Sequence, residues 1–175
     1  PTSINEISSQ KEYKIIERNK THRHYHLKTS NMISKGDVIS SRVPLFYNED
    51  IVINKCHPNT SSKDLYKNAL ADEVLFIQSG EGILRSNFGS LNLSHGDYVV
   101  IPRGVIWKLE ITSPMKILTI ESNSPIETPE RYRNKFGQLL EHSPFSERDI
   151  NTPIFDKNSK DGSAVINVKY REVIQ

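Results

Sequence analysis

His22, His24 and His26 alternate through the stretch THRHYHLKTS and make up half of the six histidines in this 175-residue chain. Alternate residues share one face of a β-strand, at a spacing of roughly 6.5–7 Å. Neighbouring pairs in such a row can chelate a metal, but all three rarely reach one ion, and Lys20, Arg23 and Lys28 oppose a cation there. The row therefore reads as a solvent-facing or interface strand. The other histidines are scattered: His57 follows Cys56, His95 sits in a turn, and His142 lies in a polar stretch. Cys56 and His57 are sequence neighbours, an arrangement seldom found for a nucleophile and its base. No G-x-S-x-G elbow and no glycine-rich phosphate loop is present. No catalytic residue follows from these groups. One acid stands out instead: Glu73 opens the apolar run EVLFIQS, and an ionised carboxylate inside a fold is costly unless it is paired. It is a hydrogen-bonded structural residue, a residue at the rim, or a residual substrate-binding acid.

The elements that must hold these groups are mostly strands. Short apolar or alternating runs predict strands at 37–42, 50–56, 73–79, 82–88, 90–94, 97–101, 106–112 and 115–121. The punctuation between them is SGEG at 79–82, HGD at 95–97, PRG at 102–104 and SP at 113–114. Strands at this spacing predict an all-β sandwich or small barrel. Beyond Glu121 the sequence turns rich in Pro, Ser and charge, which reads as an extended arm with one short helix near 130–141. The stretch AVINVKYREVIQ alternates again and predicts a last strand, with Val165, Asn167 and Lys169 on one face. Three parts result: an N-terminal extension at 1–35, the β-domain at 36–121, and the arm at 122–175.

The bulk properties narrow the classes. A hydrophobic fraction of 35% and a mean hydropathy of −0.54 suit one domain with a real core. No apolar run approaches the ~20 residues of a membrane span. No basic region followed by an apolar one marks a signal peptide. A net charge of +2 with interspersed signs gives no basic stripe, so neither nucleic acid nor membrane is an expected partner. A single cysteine excludes an internal disulfide and fits a reducing cytoplasm. The chain opens on Pro1, which fits either removal of a Met or a fragment of something longer, and its last expected strand stops at Gln175 without a turn signal, a hint of further sequence.

Residues 73–107 carry the densest pattern. Glu73 and Gly80 form E-x6-G, and Gly96, Pro102 and Gly104 form G-x5-P-x-G. Together they resemble the cupin signature, in which an H-x-H pair, the Glu and a final His converge on one metal inside a barrel. The resemblance implies an all-β, cupin-like sandwich or barrel of jelly-roll type with an extended C-terminal arm. The departures are specific. The H-x-H pair falls on Lys67 and Ala69, or with the longer spacer on Tyr66 and Asn68, and the final His falls on Trp107. An indole supplies apolar bulk where a metal needs convergent donors. The expectation is a metal-free barrel whose pocket is lined by Tyr66, Glu73 and Trp107.

Longer stretches resemble homogentisate 1,2-dioxygenase, particularly the bacterial homogentisate-dioxygenase-like proteins. They are HRHYHLKT, SRVPLFYNEDIVI, YKNALADEVLFIQSGEGILRSNFGSL, GDYVVIPRG and ERYRNKFGQLLEHSPFSERDI, running from about residue 20 to 152. The resemblance implies the metal-free first part of an oligomeric enzyme that opens the ring of a small aromatic acid during tyrosine and phenylalanine breakdown. Fe(II), bound by two His and one Glu, is implied for a following domain, and no cofactor for this chain. The alternatives are a stand-alone, metal-free cupin that binds a small molecule or acts as an isomerase or regulator, and a metalloprotein built on HRHYH.

Overall fold

The computed structural model describes residues 8–9, 24, 26–155, 162–171 and 173–174. It contains two sheets packed face to face. The first strands are β1 (Ser8–Ser9), β2 (Val43–Tyr47), β3 (Ile51–Cys56) and β4 (Leu65–Asn68). The signature region supplies β5 (Asp72–Ser79), β6 (Gly82–Ser86), β7 (Gly89–Leu93), β8 (Tyr98–Ile101), β9 (Trp107–Ile111) and β10 (Lys116–Ser122). Two more follow the arm, β11 (Ile166–Tyr170) and β12 (Val173–Ile174). The seven-stranded sheet runs β1-β12-β11-β4-β9-β6-β7, and the five-stranded sheet runs β2-β3-β10-β5-β8. Among the described residues β11 and β4 pair in parallel, and the other ladders are antiparallel. The architecture is the all-β, cupin-like sandwich.

Three expected elements differ, the first being the strand expected at the histidine row, where residues 24 and 26–29 lie outside any strand. Residues 37–42 form turns, because the Asp37 carboxylate accepts the backbone N–H of Ile39 (3.1 Å) and of Ser40 (2.7 Å). This local bonding competes with a sheet ladder. No helix spans 130–141; that stretch holds a single 3-10 turn at Glu130–Tyr132, and a second such turn follows at Glu147–Asp149. The second is closed by a capping box between Ser146 and Asp149. Three strands were not foreseen: β1, β2 and β4. β2 contains Pro44, which suits the sheet edge it occupies, and β4 is short and mixed in polarity.

The signature residues earn their places as turns. Gly80 has a positive φ of 87°, and a Cβ there would lie 2.4 Å from the Pro114 carbonyl oxygen. Gly96 (φ 93°) shapes the turn where Asp97 accepts the Ser94 N–H at 2.7 Å. These are conformations that side chains rarely adopt.

The core gathers Cys56, Leu75, Ile77, Leu84, Leu93, Leu109, Met115 and Ile117 between the sheets. Each large aliphatic side chain buried there contributes roughly 1.5–3 kcal/mol. The outer faces differ. On the seven-stranded sheet, Arg85, Lys108 and Glu110 form a half-exposed ionic cluster. On the five-stranded sheet, the outward residues line up as two rows of cross-strand neighbours. One runs Val43, Lys55, Leu118, Phe76, Tyr98, the other Phe46, Ile53, Ile120, Val74, Val100. Among the described residues no helix is long and apolar enough to cross a membrane.

Candidate functional site

The antiparallel ladder of β5 and β10 sets two glutamates directly opposite each other, Glu73 against Glu121. Both point into the sandwich, at 1% and 5% exposure. Like charges in that relation repel, and each buried carboxylate needs a partner. Arg42 supplies it. The turn built on Asp37 delivers this residue to the sandwich mouth, and its Nε donates to the Val38 carbonyl at 3.3 Å. Its Nη1 then bridges both acids, 2.7 Å from Glu73 Oε1 and 3.0 Å from Glu121 Oε1.

The opposite sheet completes the shell. Tyr66 on β4 donates its hydroxyl to Glu73 Oε1 at 3.2 Å. Asn68, two residues on, donates to Glu121 Oε2 at 3.3 Å. From the acids' own sheet, Asn54 on β3 donates to Glu121 Oε1 at 3.2 Å. Lys169 on β11, in register with Asn68, pairs its ammonium with Glu121 Oε2. Two cations and two anions thus balance inside the fold.

Charge and burial set the protonation states. Burial alone would lower the Arg42 pKa, but Glu73, Tyr66 and Glu121 outweigh it and hold the guanidinium above its ordinary value. Burial likewise would raise Glu121, yet Arg42 and Lys169 hold it below the usual carboxylate range. Tyr66 is pushed up by burial and then by Glu73, so its phenol stays protonated and donates.

The three residues expected to line a pocket come together around Tyr66. Its ring meets Trp107 edge to face, with centroids 5.4 Å apart, while its hydroxyl holds Glu73. Trp107 is fully buried and pairs with Tyr66 across β9 and β4. Of the two spacings considered for the H-x-H pair, Tyr66 and Asn68 are the buried, inward positions, and Lys67 and Ala69 are not. These positions do not fit a metal ion. The carboxylate is engaged by a guanidinium, and a phenol, an amide and an indole stand where imidazoles would. Among the described residues no three His, Cys, Asp or Glu side chains group so as to hold a metal.

Four polar atoms of this neighbourhood lack a protein hydrogen bond: Arg42 Nη2, Glu73 Oε2, Trp107 Nε1 and Thr119 Oγ1. Two are donors and two can accept. Arg42, Glu121 and Lys169 were not singled out from the sequence. The available signal was the alternation of Ile117, Thr119 and Glu121, which puts the last acid on the core face.

Elsewhere the candidates are inert. Burial raises the Cys56 thiol to about 11, so it is not a nucleophile. His57 is buried, with its Nδ1 3.1 Å from the Met32 carbonyl oxygen, and burial lowers its pKa. His24 and His26 are exposed, and His22 lies outside the described residues. The shallow depressions of 310 and 400 Å³ on the arm, around Glu130–Gly137 and Leu139–Arg148, lie apart from the buried charges.

No family model matches this sequence. Over 171 residues, 97% of its length, the chain is 33% identical to a protein of Saccharolobus solfataricus named "Putative dioxygenase". It spans 44% of that relative's length. Among solved structures it is similar to a cupin protein from Bacteroides fragilis, at 17% identity over 63% of this chain and 92% of that one (TM-score 0.47). A cupin-2 domain protein from Shewanella frigidimarina is similar at 23% identity over 47% and 79% (TM-score 0.43).

Proposed function

We propose that this chain is the metal-free, cupin-type portion of a homogentisate 1,2-dioxygenase-type enzyme, and that the Fe(II) which activates dioxygen is held by residues outside it. The observation that carries this reading is the Arg42 guanidinium on Glu73 and Glu121. A cation fixed to the protein takes the place of an exchangeable one, so the sandwich acts as scaffold rather than as reaction chamber. The similarity to a relative named as a dioxygenase, spread over nearly the whole chain, supports the enzyme class. Homogentisate, a small aromatic acid, is the substrate this reading assigns to the complete enzyme, and a homo-oligomer in the cytoplasm is its setting.

The test has two arms. Equilibrium dialysis of this chain against Fe(II) leaves it without a stoichiometric metal, and oxygen uptake with homogentisate stays at background. The full-length Saccharolobus solfataricus relative consumes oxygen with homogentisate, and the same protein cut to the matched region does not. Tight Fe(II) binding or ring opening by this chain alone overturns the scaffold role. Failure of the full-length relative to use homogentisate overturns the substrate.

A second reading, a stand-alone small-molecule binder, is favoured by the unpartnered Glu73 Oε2 and Trp107 Nε1. A bound ligand raises the melting temperature by mass action. A shift with a small aromatic acid that disappears in Glu73→Gln supports this reading over the first.

A further inference from the structure

We infer that the outer face of the five-stranded sheet is the contact surface between two copies of this chain. In an antiparallel sheet a face open to water is ordinarily polar. Here nine of the ten positions in the two rows that cross all five strands are apolar or aromatic. The tenth, Lys55, is itself only 2% exposed, its ammonium turned onto the Gln78 side chain. The rows are left open where they reach the sheet edges: Phe46 on β2 is 55% exposed, Tyr98 on β8 is 70% exposed, and Val100 is 49% exposed. Tyr98 stacks flat on Phe76, with ring centroids 4.4 Å apart, so the surface is level rather than grooved. A level surface suits another sheet, and sheets stack about 10 Å apart through such faces.

Area and charge both select a second copy. A free aromatic side chain presents roughly 150–250 Å², so Phe46 and Tyr98 alone leave about 250 Å² open. With the valines and the half-buried members of the rows the face amounts to about 600 Å², or about 1,200 Å² for two copies, which reaches the range of specific interfaces. The rim carries opposite charges at its two ends. Glu49 and Asp50 form the β2–β3 tip, while Lys116 opens β10 at the far end, all three exposed. A two-fold axis lying in the interface and running across the strands reverses the strand direction between copies. It sets the acidic end of each over the basic end of the other, the self-complementarity an isologous contact requires.

Light scattering coupled to size exclusion, with sedimentation equilibrium, tests this on the full chain. The expected mass is twice the 20.0 kDa of one chain. Val100→Glu places a charge within the contact, at its exposed β8 edge, and converts the protein to monomer, raising the dissociation constant by about 100-fold or more. Asn92→Glu, on the outer face of the other sheet, leaves the dimer intact. Should Val100→Glu not fold, Lys116→Glu, at an exposed rim position, weakens the dimer by about tenfold through repulsion by Glu49 and Asp50. A 20.0-kDa species for the unaltered chain at tens of micromolar overturns the inference and gives the face to a different polypeptide. A dimer that survives both Val100→Glu and Lys116→Glu overturns it as well.

Discussion

Along the paired strands β10 and β5, Ile117 faces Ile77 at one end of the interior, Thr119 faces Leu75 in the middle, and Glu121 faces Glu73 at the other. One sandwich therefore holds two kinds of core. The apolar end needs only volume and shape to be filled, and each neighbour can adjust a little. The ionic end is all or nothing: Arg42, Lys169, Tyr66, Asn54 and Asn68 all converge on two carboxylates. The lesson is one of tolerance. Replacing a whole buried ion-pair set with well-packed apolar groups is often neutral, whereas removing one member strands the others.

Five outcomes sharpen that contrast. Arg42→Met has the largest effect, because it leaves Glu73 and Glu121 facing each other without their shared cation. Urea unfolding should show a loss of about 3–5 kcal/mol, partly recovered by adding Glu73→Gln. Ile77→Ala at the apolar end costs about 3 kcal/mol through lost burial and a cavity, and that cost stays constant with pH. If the Arg42→Met loss is equally flat between pH 4 and pH 8, the distinction between the two ends fails.

Lys169→Met costs about 1–3 kcal/mol, since Glu121 keeps Arg42, Asn54 and Asn68. The loss should appear in hydrogen exchange first along β11. The pH dependence has a defined sign. Glu121 titrates below its ordinary value in the fold, so its ion pairs stabilise fully above the unfolded Glu range near 4.3. They are lost as pH falls through the depressed folded value, where the unfolded chain binds more protons. Glu121→Gln therefore flattens part of the acid limb of stability against pH. Asp72, also depressed by bonds from the Arg103 and Ile126 N–H groups and the Arg103 side chain, and Glu110, depressed by Arg85 and Lys108, keep their own shares of it. The smallest effect is expected from Trp107→His: with Arg42 in place, dialysis detects no divalent metal.

Most strands were legible because apolar runs and glycine turns mark them directly. Gly80 and Gly96 in particular announce backbone conformations that few other residues adopt. The need of Glu73 for a partner was also legible, since burying a carboxylate has a known cost. The partner was not. Arg42 lies 31 residues upstream on a turn that the pattern VISSR reads as strand, and only the Asp37 hydrogen bonds reveal the difference. Strand β11 was anticipated, but its alternation could not say which face turns inward. In most sheets the apolar set of Ile166 and Val168 would face the core; here Lys169 does, at 5% exposure. The interior next to it is ionic, so the usual rule of polarity inverts.

The parallel pairing of β11 with β4 has a consequence for how the protein is made. Lys169 follows its neighbour Asn68 by about 100 residues, a separation of the sort that slows folding. A ribosome must release that late strand before Glu121 gains its second counterion. Until then the nascent barrel holds two acids and one base at its unfinished end, while the aliphatic end is free to collapse. Synthesis and neutralisation are thereby coupled, with the arrival of β11 acting as the step that discharges the interior.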